Sequence, residues 1–263
     1  MLRTMQTGGS AASEYRNEAG KSGPAVPMPP EQLRARVSGS LDDAWFDTSG
    51  TLTVDEWRRA LASQGKTFRD FPTIIDFGCG CGRALRHLSR ETGTGQRLIG
   101  LDPDAEAVGW VARNIAGVSA SALDDLPPFR DGTPGMADLI LSHSVFTHLP
   151  EDVQFAWLGE LARLLKPGGT LIASVHGAKV VEDFAASLPM AELAGHVRAE
   201  MARTGFFHMV GKNQYETVLP QYYGAAFHNI SYISRNWSRD FEIKAWFPVF
   251  ALNHQDVLVL RRR

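Results

Sequence analysis

The chain has 263 residues, 44% of them hydrophobic, which is enough for one sizeable core or one core with a large appended element. A formal net charge of -2 gives no broad basic field, so nucleic acid is excluded as an expected partner. No stretch approaches the ~20 apolar residues that span a bilayer, and the N-terminus has no basic-then-apolar signal pattern, so a cytoplasmic location is expected.

Residues 1–30 are rich in Gly, Ser, Ala and Pro without an apolar period, a composition expected to stay disordered. From 31 to 71 the pattern turns helical. Val54, Trp57 and Leu61 share a face, and Asp55 and Glu56 are expected in a first turn. With Arg36, Trp45, Phe46 and Trp57, this segment is expected to close over the core as a lid. Strands are then expected at 73–77, 97–101, 118–120, 137–141 and 170–175, and helices at 83–90, 104–115 and 151–165. In the last helix Trp157, Leu161, Leu164 and Leu165 form the buried face, Pro150 suits the first turn, and Lys166-Pro167-Gly168-Gly169 ends it. Such alternation builds a doubly wound, mostly parallel sheet with its ligand at the carboxyl ends of the strands.

After Val175 the alternation stops. Residues 177–229 read as a partly helical insert dense in aromatics (Phe184, Phe206, Phe207, Tyr215, Tyr222, Tyr223, Phe227), expected on the substrate side. Strands at 241–247 and 256–262, joined around Asn253 and His254, are expected to pair as a terminal antiparallel hairpin. A single domain over 31–263 follows.

The most informative run is Ile74-Ile75-Asp76-Phe77-Gly78-Cys79-Gly80-Cys81-Gly82-Arg83, with Gly100-Leu101-Asp102-Pro103 about twenty residues on. Alternate glycines let a ligand approach the backbone, the following helix aims its amides there, and an acid ending the second strand can accept from both ribose hydroxyls. A nicotinamide dinucleotide fits poorly, because the spacing is G-x-G-x-G and Asp76 would face a pyrophosphate. The G-x-x-x-x-G-K-[ST] of a triphosphate loop is absent. S-adenosylmethionine carries a cationic sulfonium, a free α-amino group and no phosphate, which suits an acid beside the turn. Cys79 and Cys81 read as small apolar residues of the turn, since two cysteines make neither a zinc site nor, one residue apart, a disulfide.

Residues 76–83, Asp102, the segment 138–150 and the segment 164–172 resemble, in order and spacing, the motifs of class I S-adenosylmethionine-dependent methyltransferases. The resemblance covers 73–175 and the terminal hairpin. It implies a Rossmann-like seven-stranded sheet whose last strand is antiparallel, S-adenosylmethionine as cofactor, and cofactor contacts at Asp76, Gly78, Cys79, Gly80, Arg83, Asp102, Pro103, Leu123, Asp124, Ser142 and His143. One departure stands out: the acid that often follows the third strand is replaced by Ala122, which leaves backbone groups, Asp124 or Asp125 for adenine. The segment 144–149 and the C-terminal Phe227-His228, Tyr232, Trp237 and His254-Gln255-Asp256 resemble a bacterial subgroup associated with methylation of small molecules, sugars or secondary metabolites.

Methyl transfer is an in-line displacement in which the protein mainly supplies position. A hydroxyl acceptor needs a proton acceptor, and histidine suits neutral pH. Of eight histidines, His148 ranks first as that base, His176 second and His228 third, from their expected places at strand ends and at the rejoining of the insert. An amine acceptor needs no such base, and a catalytically silent cofactor-binding role is the remaining alternative. The expected partner is a small-molecule substrate, with no metal.

Overall fold

The computed structural model describes residues 26–38, 41–188, 191–210 and 219–263. Most of the expected disordered segment 1–30, and Tyr215 of the insert, lie outside the described residues. Residues 26–30 lie against the body: Val26 and Met28 pack on the core, and Arg86 donates to the Val26 carbonyl at 3.1 Å.

Five parallel strands, β1 (Thr73–Phe77), β2 (Arg97–Asp102), β3 (Val118–Ala122), β4 (Ala137–Ser142) and β5 (Leu165–Val175), form the centre of the molecule. In chain order the insert adds two short strands, β6 (Phe206–Met209) and β7 (Ala225–His228), paired antiparallel as a separate small sheet. The chain ends in β8 (Phe241–Ala251) and β9 (Gln255–Arg262). The main sheet has seven strands in the order β3-β2-β1-β4-β5-β9-β8, with β9 antiparallel to both of its neighbours. This is the expected architecture. Order reverses between β1 and β4, and a crevice for a ligand opens at the carboxyl ends of strands at such a point.

Alternate strand residues divide between two apolar layers, as period-two pleating requires. Ile74, Leu98, Leu139 and Ile172 face α2 (Asp43–Ala62) and α4 (Ala105–Asn114), whose Trp57, Leu61, Val108 and Val111 complete one layer. Their neighbours Ile75, Ile99, Ile140 and Leu171 face α5 (Glu151–Leu164) and α8 (Ile230–Asn236), through Trp157, Leu161, Tyr232 and Ile233. Both faces of β1 are covered, and all five of its residues are buried. The insert has its own small core: Val180 and Val181 of α6 (Ala178–Ser187) meet Val197 and Met201 of α7 (Ala191–Thr204) around Phe227.

Three local expectations change. The segment expected as a lid forms two helices, α1 (Glu31–Ser38) and α2, and α2 starts at Asp43 under the cap of Asp42, whose carboxylate accepts from Ala44 N at 2.9 Å. Asp55 and Glu56 are therefore mid-helix, because the Asp42 cap and the Phe46 contact extend the helix upstream of the apolar stripe. After the glycine turn only α3 (Leu85–Leu88) is helical. Its flanks tighten into i→i+3 bonds, His87 N to Ala84 O and Arg90 N to His87 O. Finally, β5 begins directly at Leu165, paired with Ala137, so Lys166-Pro167-Gly168-Gly169 is an irregular strand start and not a loop.

Candidate active site

The turn after β1 is held by Gly78 N and Cys79 N, which both donate to the Leu101 carbonyl, at 2.7 and 3.1 Å. Gly78, Gly80 and Gly82 all have positive φ, +82°, +52° and +84°, the region that side chains disfavour. Space adds a second requirement. A Cβ on Gly78 would collide with Val145 of the loop after β4, and one on Gly80 with Val37 of α1. The turn is thus enclosed on one side by α1 and on the other by the 143–148 loop. Cys79 and Cys81 are buried packing groups: Cys79 Sγ would lie only 2.8 Å from a Cβ on Gly100. Burial pushes the Cys81 thiol up to about 12, so neither residue is a thiolate near neutral pH.

Above the turn lies a cleft of about 1200 Å³, part of it open to solvent. Asp102, the last residue of β2, accepts from Gly80 N at 2.8 Å with one oxygen and from Asp104 N at 2.9 Å with the other. Burial pushes its carboxyl up to about 6, against those two hydrogen bonds. Asp76 also lines the cleft, and it makes no side-chain hydrogen bond to any other described residue. Burial raises its carboxyl to about 7; the Arg83 guanidinium opposes that shift and Asp102 adds to it. A buried carboxyl without a hydrogen-bonded partner is costly unless a cation or donor arrives. From α1, Arg36 reaches across the rim to Asp104 Oδ2 and Glu106 Oε2, both at 2.9 Å.

The other end of the cleft is made by the 143–148 loop and the insert. His148 and Gly224 are joined twice: Gly224 N donates to the His148 carbonyl at 3.0 Å, and His148 Nδ1 lies 2.7 Å from the Gly224 carbonyl. A carbonyl only accepts, so Nδ1 carries the proton and Nε2 the lone pair. Tyr223 stacks on the imidazole at a centroid distance of 4.3 Å and 16° between planes. The Tyr222 hydroxyl donates to the Asp125 carbonyl at 2.5 Å, tying the insert to the loop after β3. Burial lowers the His148 pKa from the usual imidazole value.

Among the residues singled out from sequence, Asp76, Gly78, Cys79, Gly80, Arg83, Asp102, Pro103, Leu123, Asp124, His143 and His148 all line this cleft. Ser142, His176 and His228 do not. Ser142 is the fully buried last residue of β4. His176 lies behind His148, 6.1 Å between ring centroids, and burial pushes its pKa down to about 3. His228 is 1% exposed and donates through Nε2 to Gln154 Oε1 at 2.9 Å, while Gln154 Nε2 holds the carbonyls of Phe146 and Leu149. It supports the loop from behind. Trp45 is exposed outside the cleft, whereas Arg36 and Trp57 line it. Sequence reading passed over Asp104, Ser144 and Val145. Asp104 carried a signal of its own, an N-cap acid two residues beyond Asp102, whereas Ser144 and Val145 were read only within the segment 144–149, with no role in the cleft lining.

Residues 75–173 match the model of the methyltransferase domain family. The human mitochondrial protein named arginine-hydroxylase NDUFAF5 is 28% identical over 161 residues, covering 57% of this chain and 44% of that protein. The chain therefore spans less than half the length of that curated relative. Among solved structures, the DhpI complex with S-adenosylhomocysteine superposes with a TM-score of 0.55 at 15% identity, covering 88% of this chain and 93% of the other. N-methyltransferase NodS of Bradyrhizobium japonicum, also with S-adenosylhomocysteine, gives 0.51 at 15% identity, covering 88% and 97%. At that identity the two structures establish the fold. The match to a methyltransferase domain thus lies within the fold shared with those two structures, both of which hold S-adenosylhomocysteine.

Proposed function

We propose that this chain transfers a methyl group from S-adenosylmethionine to a hydroxyl of a small molecule or sugar, with His148 as the general base. The observation that carries the reading is the tautomer of His148. Its Nδ1–H is committed to the Gly224 carbonyl, so Nε2 presents a lone pair beside the cleft. Burial keeps the ring neutral near pH 7, the state a base needs.

The cofactor, when bound, supplies a methyl group already activated on a sulfonium. The residues present fit it. Asp102, anchored by two backbone amides, has its remaining lone pairs for the ribose hydroxyls. Asp76, without a hydrogen-bonded partner and raised to about 7, suits the cationic amino end. Leu123, Asp124 and Asp125 line the cleft and are the residues this reading gives to the adenine, and Asp124 is paired with Arg130 at 2.8 Å. Stacking by Tyr223 holds the imidazole plane and helps exclude water.

The test is His148→Ala assayed against candidate hydroxyl and amine acceptors. With a hydroxyl acceptor, turnover falls by about 10²–10⁴-fold, S-adenosylhomocysteine affinity is retained, and part of the lost rate returns at high pH where the acceptor ionises by itself. A silent His148→Ala on the true acceptor overturns the assignment of the base and favours an amine, whose lone pair attacks without one.

A further inference from the structure

The loop that carries Val145 and His148 begins with a strained residue. Ser144 has φ +59°, the left-handed region, although it is not glycine. For such a residue this conformation persists only where the surroundings over-determine it. Here a closed ring of three hydrogen bonds does so. Ser144 N donates to Ser174 Oγ at 2.8 Å, Ser174 Oγ donates to Gln255 Oε1 at 2.7 Å, and Gln255 Nε2 donates to Ser144 Oγ at 2.7 Å. The directions are fixed by the first bond. An amide can only donate, so the Ser174 proton goes to the carbonyl oxygen of Gln255, whose NH₂ is left for Ser144. Ser174 and Gln255 are 2% and 8% exposed, so water competes little for these groups.

The ring joins three strands at one point: Ser174 lies on β5, Gln255 opens β9, and Ser144 follows β4. Gln255 brings to it the terminal hairpin, whose turn is also fastened to α2. Leu252 N donates to Glu56 Oε1 of α2 at 2.6 Å. Downstream of Ser144, Val145 covers Gly78, and His148 N closes a turn on the Val145 carbonyl at 3.0 Å. A change of backbone region at Ser144 would re-aim both residues.

We propose that Gln255 is a positioning residue of the methyl-transfer site, which acts with Ser174 to hold Ser144 in its left-handed conformation and so sets the 143–148 loop against the glycine turn. This rests on the reading of the cleft as the cofactor site. Gln255 touches neither ligand; it acts through the backbone of Ser144.

The proposal makes a rescue prediction that an ordinary packing role does not. Removing the ring with Gln255→Leu exposes the loop to the left-handed penalty, on the order of tenfold in population, so S-adenosylhomocysteine binds about tenfold more weakly by calorimetry. Glycine adopts that region freely, so adding Ser144→Gly to Gln255→Leu returns affinity to within about threefold of the parent, although the double variant regains none of the lost hydrogen bonds. Adding Ser144→Ala instead gives no rescue. A folded Gln255→Leu variant with unchanged affinity overturns the proposal, as does a double Gly variant no better than the single. If the parent protein itself fails to bind S-adenosylhomocysteine, the cofactor reading is what fails. The ring is then judged by hydrogen exchange at residues 143–148: faster exchange in Gln255→Leu supports it, and unchanged protection overturns it.

Discussion

The two ends of the cleft are built by different means. At the end proposed for the cofactor, Asp76, the glycine turn and Asp102 lie within one strand-turn-helix-strand unit, and parallel register sets Asp76 beside Gly100 and Phe77 beside Leu101. At the end proposed for the acceptor, His148 depends on Gly224, 76 residues away, and Ser144 depends on Gln255, 111 residues away. Local backbone rules therefore fix the first end, while the second is assembled only once the insert and the terminal hairpin have docked. Substitutions at the two ends should separate accordingly.

The sharpest contrast is between two glycines. Gly78→Ala places a side chain at φ +82° and drives it into Val145, so both strain and collision oppose it. S-adenosylhomocysteine affinity should fall by on the order of a hundredfold. Gly224→Ala instead meets the Met209 carbonyl and His208, which displaces β7 from β6 and loosens the partner of His148. Its expected signature is a large loss of turnover with cofactor affinity changed by less than about threefold, since positioning errors act on the reacting geometry. If calorimetry shows Gly224→Ala as damaging to cofactor binding as Gly78→Ala, the division into two ends is wrong.

Next in size is Asp102→Ala. A charge-assisted hydrogen bond is worth about 1.5–3 kcal/mol, so removing the ribose acceptor should weaken S-adenosylhomocysteine by about tenfold to a hundredfold. The same substitution frees Gly80 N and Asp104 N, so Asp102→Asn, which keeps one acceptor oxygen, separates lost ribose contact from a loosened turn. Unchanged affinity in a folded Asp102→Ala variant would remove Asp102 from the cofactor site.

This asymmetry explains what could be read from the residues alone. Strands ending in acids, the alternate glycines and the helix stripes encode their geometry within a few residues, and the sheet, its terminal hairpin and the lining of the cofactor end follow from them. Helix limits were less legible. The Asp42 cap extends α2 ahead of its apolar stripe, and the turn of tight bonds after Gly82 shortens α3. Ranking three histidines by strand-end position placed them near one edge but said nothing of the direction each side chain takes. His228 turns inward to Gln154, and only His148 of the three reaches the cleft lining. Ser144 was legible only as part of the segment 144–149; its left-handed backbone was not, because its hydrogen-bond partners Ser174 and Gln255 lie far along the chain.

Asp76 gives a smaller, pH-dependent effect. Its carboxyl is raised to about 7 by burial, with Arg83 opposing and Asp102 reinforcing that shift. An acid raised on folding contributes stability that is fully present below the unfolded value, near pH 4, and is lost as pH rises through 7. The ligand-free protein should therefore lose melting temperature between about pH 4 and 7 more steeply than Asp76→Asn does. Glu56, also raised to about 7 by burial, titrates in both proteins and cancels in that comparison. Binding of a cationic amino group favours ionised Asp76, so parental affinity for S-adenosylhomocysteine should tighten by up to about tenfold over the same range. Parallel pH profiles in the two proteins would show that Asp76 does not meet that cation.

The smallest effect belongs to the rim. Arg36 on α1 pairs with Asp104 and Glu106, and its side chain is only 19% exposed, so it joins the lid helix to the start of α4 directly over the cleft. Ion pairs of this partly exposed kind contribute about 0–1 kcal/mol, and Val37 keeps its contact with Gly80 whatever residue 36 carries. Arg36→Ala should therefore weaken S-adenosylhomocysteine by no more than about fivefold, chiefly through faster dissociation as α1 opens more often. The parent should show a modest rise of dissociation rate with salt, because screening reaches a pair at the surface, and Arg36→Ala should not. A lid closed mainly by apolar contact predicts that ordering: a small charge effect here, and a larger one from Val37→Ala, which strips the side chain packed over the glycine turn. Should Arg36→Ala prove the more damaging of the two, the lid is held by its charges, and the rim would belong with the acids of the cofactor end.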